Sequence, residues 1–472
     1  MMMPRSSPSE QGVDARGLLR LLDALEPPGH GTHSLMIARH GAVIAEGWWA
    51  PYARDRVHLG YSLSKSFTAT ALGVLAEQGA IELDAPVLSY LVDLDTVDEV
   101  WRRVTVRHCI SMTAGHSAEA WDWRGDSVPP DAGEGDPILG AILTTRVPDG
   151  EPGEVWAYNQ VATYLVAQAV AAATGRSLTD QVRRLVIDPL TGDSARAQRT
   201  PQGRDLGFSG MHVTTPTILA LAQTWLDGGR WQGEQLVPSS FAAAAPRPTP
   251  ASLRASGMLG DWNHGYGMSF WGASHGYRGD GAYGQYAIVL PEYDVAVAIT
   301  SEVVDMQVTL DHLWAHLLPA MVGATDPDAD EQLDYRLGAL RHPARSGGAA
   351  PHRVLTATRH EQSQLPPVYQ SVTVQTTTAG HHRLVLHRSD GDLVTVVGDG
   401  TWLESTWPTP AGQPLAVAAS GGWQGEAFTA ELRLVETPHT MTVTVADGSV
   451  RLNWVMEPLT GPDPLQAVSF PF

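Results

Sequence analysis

Residues 62–78 read SLSKSFTATALGVLAEQ and are closed by Gly79. The pattern predicts a helix, but one that is apolar on almost every side, with Phe67, Ala71, Leu72, Val74 and Leu75 distributed round it. A helix without a polar face cannot lie on a surface, so the chain must build protein layers around it. The flanking sequence supplies them. Residues 34–50 alternate around His40-Gly41 as strand, tight turn and strand. Helices are expected at 161–174, stopped by Gly175, and at about 178–187, where Ser177 and Asp180 stand at capping-box-like spacing. Another runs from Thr215-Pro216 to Gly228-Gly229. YGMSFWG, AYGQYAIVL and YDVAVAITS then read as strands, and a last helix covers about 307–322. Strands at both ends with helices between predict an α/β (α+β) unit: one antiparallel sheet from the two chain ends, with an inserted helical region.

After Thr325 the pattern changes. DPDADEQLD and HPARSGGAAPH are polar and rich in Pro and Gly. From 352 onward SVTVQTTT, RLVLHR, LVTVVG, MTVTVA and VRLNWVM are short alternating strands, with Asp-Gly turns at 390, 399 and 447. The expected organisation is a domain over 1–325, a linker over 326–351 and a β-rich domain over 352–472, a lipocalin-like barrel or a sandwich. A chain of 472 residues is long enough for one large domain and a smaller one.

A formal charge of −20 argues against nucleic acid and anionic membranes as partners. The most apolar run, VATYLVAQAVAAATG, is shorter than the roughly 20 residues a spanning helix needs. The opening MMMPRSSPSEQGVDARGLL has no apolar signal core, which leads to the expectation of a cytoplasmic protein. Cys109 is the single cysteine, so neither an intramolecular disulfide nor a Cys-based zinc site is expected. His312 and His316 are four apart on the last helix without the glutamate of H-E-x-x-H, and packing or solvent-facing histidines are the better reading. No Rossmann or P-loop fingerprint is present, so no cofactor and no metal are called for.

Lys65 is the only lysine in the chain; the other basic residues are arginine. A GC-rich coding sequence accounts for the scarcity of lysine but not for where the survivor sits. Ser62 lies three residues before it, on the same helix face. A serine hydroxyl is a weak nucleophile until its proton is removed, and lysine can remove it where arginine cannot. The alternative is an ordinary helix start, with Ser62 as cap and Lys65 on the surface. Tyr158, just ahead of the helix at 161–174, is either a proton relay to a leaving group or a packing aromatic. In YRGDGAYGQYAIVL the glycines before a strand let a substrate carbonyl approach the backbone, where the amides of Ala282 and Ser62 would form an oxyanion hole. A plain glycine-rich turn is the competing reading.

Together the three segments resemble the serine β-lactamase and penicillin-binding-protein superfamily, most closely its class C, esterase and 6-aminohexanoate-hydrolase-like branch. The likeness runs over about residues 30–322. YSLSKSFTATALG is similar to the family's S-x-x-K element, and TVRHCISMTAGH resembles the segment that follows it. Tyr158 matches the tyrosine of Tyr-x-Asn, and GDGAYGQ resembles the Lys-Thr-Gly strand, with Gly281 as the shared glycine. The resemblance implies Ser62 as acylated nucleophile, Lys65 as its base and Tyr158 as relay, with Asn159, Gln160, Asp280, Gly281 and Ala282 lining the substrate. The sequence departs from the family at two points. Gln160 stands where the family has Asn, and Gly279-Asp280-Gly281 replaces Lys-Thr-Gly or His-Thr-Gly. The family uses that cation to hold a substrate carboxylate, so penicillin or D-alanyl-peptide chemistry is not expected. His116, Trp121 and Trp123 are candidates for the acyl pocket.

Three functions fit. The first is a serine hydrolase that forms an acyl-enzyme at Ser62 from a small ester or amide and releases it to water. In the second, an amine or alcohol acceptor takes the acyl group, as in an acyltransferase of natural-product metabolism. The third is a non-catalytic binding or sensor protein on the same fold.

Overall fold

The hairpin expected at the start is formed by β1 (Thr32–Arg39) and β2 (Ala42–Trp48). His40 and Gly41 between them both take positive φ, 50° and 73°, as a two-residue hairpin turn demands. The structure is a computed structural model; it describes residues 3–26, 30–118, 136–255, 257–348, 354–358, 366–377, 380–410 and 412–467. Four later strands complete the sheet: β3 (Trp271–Gly272), β4 (Tyr277–Gly281), β5 (Gln285–Leu290) and β6 (Val295–Ser301). Their order is β2-β1-β6-β5-β4-β3, antiparallel throughout, with Leu35 opposite Ile299 and Tyr286 opposite Asp280. The sheet is thus built from both ends of the domain. YGMSFWG contributes only the two-residue β3.

The period of two along each strand sorts the side chains into two cores. Leu35, Ile37, Val297 and Ile299 pack with helix α1 (Ala15–Leu25) and the helical run Met306–Ala320. Met36, Ala38, Ala296 and Ala298 face α2 (Ser64–Glu77), α3 (Gln160–Thr174) and α4 (Thr215–Leu226). The small residues on this second face let helices come close to the sheet. Eleven of the fourteen residues of α2 are buried, which is the central position its apolar composition requires. Its polar side chains each hold a different piece of chain. Ser64 Oγ accepts from Met211 N (3.0 Å), Ser66 Oγ donates to Ser269 O (2.8 Å), and Thr68 Oγ1 donates to Gly207 O (2.8 Å). Thr70 Oγ1 accepts from Trp225 Nε1 (3.1 Å). Buried polar groups of this kind persist only when satisfied, so the first half of α2 is fixed to its surroundings.

Residues 327–338, within the stretch expected to be a linker, form a helix whose Ala329, Leu333 and Leu337 join the core beside α1. Two of its acidic residues, Asp328 and Asp330, sit in its first turn, where the helix dipole favours them. The C-terminal part is all β, with two antiparallel sheets of four and five strands sharing one core that includes Trp407, Trp423 and Phe428. Among the described residues no hydrogen-bonded ladder joins the two sheets into a closed barrel; the barrel alternative gives way to two packed sheets. No helix among the described residues is long and apolar enough to cross a membrane.

Candidate active site

Ser62 lies on one 3-10 turn, Tyr61–Leu63, that runs straight into α2. No side chain caps either element, so the reading of Ser62 as a helix cap does not hold. Lys65, one turn on, is 1% exposed, which removes the surface-lysine reading. Its Nζ lies 3.1 Å from Ser62 Oγ, 2.6 Å from Gln160 Oε1 and 2.9 Å from the carbonyl oxygen of Phe208. It also sits over the Tyr158 ring, 4.7 Å from the centroid. The two carbonyl oxygens can only accept. A neutral amine has two N–H groups and one lone pair; with the N–H groups on Gln160 and Phe208, the lone pair is left facing the Ser62 hydroxyl. An ammonium donates to all three. The cradle therefore suits both protonation states.

Asn159 and Gln160 part company at the start of α3. Asn159 caps the helix by accepting from Ala162 N and turns its amide to His116 Nδ1, 2.7 Å away. His116 Nε2 donates to Arg146 O (2.8 Å), which leaves Nδ1 as the acceptor; burial pushes this imidazole below its usual range. Gln160 is the residue that reaches Lys65. Its Nε2 is buried and has no partner among the described residues. Trp121 and Trp123 lie outside the described residues.

The Tyr158 ring stacks on Trp271 (centroids 5.6 Å, 20°) and meets the edge of Tyr266 (5.8 Å, 87°), so one side of the site is an aromatic wall. Strand β4 packs against the Ser62 turn. A Cβ on Gly281 would collide with the Gly60 carbonyl oxygen, and one on Gly279 with Ser66 Oγ. Glycine at these two positions brings the end of β4, and Ala282 after it, against the Ser62 turn. Arg278 and Asp280 project from the other face of the strand. They form a buried pair, Nε to Oδ2 3.0 Å, with the guanidinium over Trp262 and donating to Gly272 O. Burial pushes the Asp280 carboxyl up, against the pull of Arg278.

The C-terminal sheets reach this region. The Tyr61 hydroxyl is 2.5 Å from His439 Nε2, and the Tyr283 hydroxyl donates to the Glu457 carbonyl (2.7 Å). Glu302, at the end of the central sheet, accepts from Thr440 N (2.8 Å) and Met456 N (3.2 Å); burial pushes its carboxyl up to about 8. Residue patterns gave no hint of the Phe208 carbonyl, of the Trp271–Tyr266 wall or of His439. The Arg278–Asp280 pair was readable, because residues two apart on a strand share a face. Among the described residues no group of three or more His, Cys, Asp or Glu is placed to hold a metal.

The antiparallel sheet between helical layers, with the Ser62 turn and the buried helix α2 against it, is a β-lactamase-like fold. The family model described as Beta-lactamase matches residues 24–319, and the chain belongs to that family. It is 25% identical over 328 residues to penicillin-binding protein 4 of Amycolatopsis lactamdurans, covering 61% of this chain and 82% of that protein. It is 27% identical over 229 residues to the 6-aminohexanoate-dimer hydrolase of Paenarthrobacter ureafaciens, covering 44% of this chain and 56% of that one. A crystal structure of SurE with D-Leu superposes with a TM-score of 0.51 at 16% identity, over 94% of this chain and 99% of that chain. That last likeness is one of fold, and it extends through the C-terminal sheets.

Proposed function

We propose that the protein is a serine hydrolase that forms an acyl-enzyme at Ser62 from a small ester or amide. The observation that carries this is the Lys65 cradle: an amine 3.1 Å from the serine oxygen, with two carbonyl oxygens taking its remaining hydrogens. Lys65 takes the hydroxyl proton as Ser62 Oγ attacks the acyl carbon. The developing oxyanion is held by the amides of Ser62 and Ala282. The proton passes through Lys65 and Tyr158 to the leaving alcohol or amine, and water then attacks the acyl-enzyme. Asn159 belongs to the scaffold, through His116, and Gln160 to the lysine.

The charge pattern supports an uncharged acyl group. Gly279 and Gly281 bring no cation, and the Arg278 guanidinium is already paired with Asp280 on the other face of the strand. The Tyr158–Trp271–Tyr266 wall offers apolar surface instead. Transfer to an amine or alcohol acceptor uses the same first half-reaction. The test is intact mass after brief exposure to a fluorophosphonate, short p-nitrophenyl esters and a penicillin, with Ser62→Ala beside wild type. Adducts from the phosphonate and esters that vanish in Ser62→Ala are expected, with little or none from the penicillin. Equal ester hydrolysis by Ser62→Ala would overturn the proposal, and adduct decay with and without added amine separates hydrolysis from transfer.

A further inference from the structure

Two tyrosines flank the two amides assigned to the oxyanion hole. Tyr61 precedes Ser62 and Tyr283 follows Ala282. Both have left-handed backbone, φ 46° and 69°, a conformation a bulky aromatic residue rarely adopts. Such strain persists where the surroundings over-determine it, and it clusters at functional sites. Both side chains are tied to the C-terminal sheets. Tyr61 donates to His439 Nε2 at 2.5 Å, and Tyr283 donates to the Glu457 carbonyl at 2.7 Å. The acceptor state of His439 is itself fixed: Nδ1 lies 2.8 Å from the Met456 carbonyl and must donate to it, leaving the Nε2 lone pair for the Tyr61 hydroxyl. The three rings pack edge to face, Tyr61 on Tyr283 at 5.4 Å and each on His439 at 5.8 and 5.3 Å. Leu59 N, just upstream, donates to the Glu436 carbonyl of the same domain (2.9 Å).

We infer that the C-terminal β-domain is a positioning element of the active site: through His439 on Tyr61 and the Glu457 carbonyl on Tyr283, it holds the Ser62 and Ala282 amides in their paired orientation. His439 and the two tyrosines are positioning residues; none needs to touch substrate. This rests on the acyl-enzyme reading above. The hydroxyl of Tyr61 acts only if its acceptor is present, so the two partners should fail as a unit.

The experiment compares wild type with Tyr61→Phe, His439→Leu, His439→Gln and the Tyr61→Phe/His439→Leu double variant in the full-length protein. It reads the rate of Ser62 labelling by a fluorophosphonate, in which Ser62 Oγ displaces fluoride, together with kcat and KM for a p-nitrophenyl ester. Tyr61→Phe and His439→Leu are each expected to slow labelling and kcat about tenfold or more, by the size of an oriented oxyanion contact, with KM within about twofold. The double variant should be no slower than the worse single one, and His439→Gln, which keeps an acceptor, should recover part of the loss. Rates within twofold of wild type in Tyr61→Phe, or losses that multiply in the double variant, would overturn the inference. Should His439→Leu fail to fold, Tyr61→Phe keeps the ring and decides alone. Absence of labelling in wild type would sink the hydrolase reading itself, whereas a labelled wild type with unaffected variants sinks only the positioning role.

Discussion

Gln160 Oε1 lies 2.6 Å from Lys65 Nζ, while its neighbour Asn159 turns away to His116. The amide next to the lysine is therefore the one that departs from the Tyr-x-Asn pattern the sequence resembles, a side chain one methylene longer than Asn. The longer reach starts from the first residue of α3 and still meets the amine. If this oxygen orients the amine toward Ser62, Gln160→Leu should lower the rate of Ser62 acylation roughly 10²-fold, the scale of one lost positioned hydrogen bond, with little change in KM. Single-turnover labelling kinetics would check it; an unchanged rate would assign the orientation to the Phe208 carbonyl alone.

Lys65→Arg keeps the charge and removes the removable proton. Acylation should fall by about 10³-fold or more if lysine is the base. If the lysine only supplies charge, Arg should retain most of the rate. Stopped-flow ester hydrolysis at several pH values distinguishes the two.

The Arg278–Asp280 pair is buried, so losing one member leaves the other charge stranded. Asp280→Asn is expected to cost about 3 kcal/mol in urea unfolding, and Arg278→Met a similar amount. The double replacement Arg278→Met/Asp280→Leu should recover much of the loss. Additive losses would mean that the pair is not coupled.

The domain contact carries opposing pH dependences. Burial pushes the Glu302 carboxyl up to about 8 from 4.5, so between these values the folded protein holds a proton the unfolded chain has released, and stability falls as pH rises. Burial pushes His58, His342 and His439 down to about 3 from 6.5, so between those values the unfolded chain holds the extra protons, and stability rises with pH. Charged and titrating neighbours of Glu302 are Arg433, Tyr52, Tyr61 and Tyr283. The sum is a maximum near neutral pH, with a decline above about 6.5 due to Glu302 at roughly 1.4 kcal/mol per pH unit at most. Glu302→Gln mimics the protonated carboxyl and should flatten that decline between pH 6.5 and 8 in urea midpoints. A slope that survives the substitution would place its origin elsewhere.

The main elements were legible because they rest on local rules. The His40-Gly41 turn, the Gly175 stop and the all-round apolarity of α2 each have one physical solution, and the structure adopts it. The helix at 327–338 was not legible, since its polar sequence buries only Ala329, Asp330, Leu333 and Leu337 and depends on α1 for a core. Strands at 403–407, 415–424 and 427–434 were missed as well; Ser420, Gly421 and Gly422 interrupt the alternation of the second while remaining buried. At the candidate site, residues whose type suits them to chemistry stood out, above all a lone lysine three after a serine. A backbone carbonyl such as that of Phe208 has no residue type to give it away, and His439 is brought to Tyr61 from 378 positions along the chain.

The central sheet joins Ser34 to Thr300, side chains 2.5 Å apart and 266 positions apart in sequence. At a synthesis rate of about 5–20 residues per second, the first hairpin waits roughly 15–50 s for its neighbouring strand to leave the ribosome. Until then β1 has one open edge, and the sheet face meant for α2 is uncovered on that side. The turn and helix that carry Ser62 and Lys65 are made early, long before the strand that packs against them exists. The candidate site is therefore begun near the start of synthesis and closed only by segments that arrive near its end.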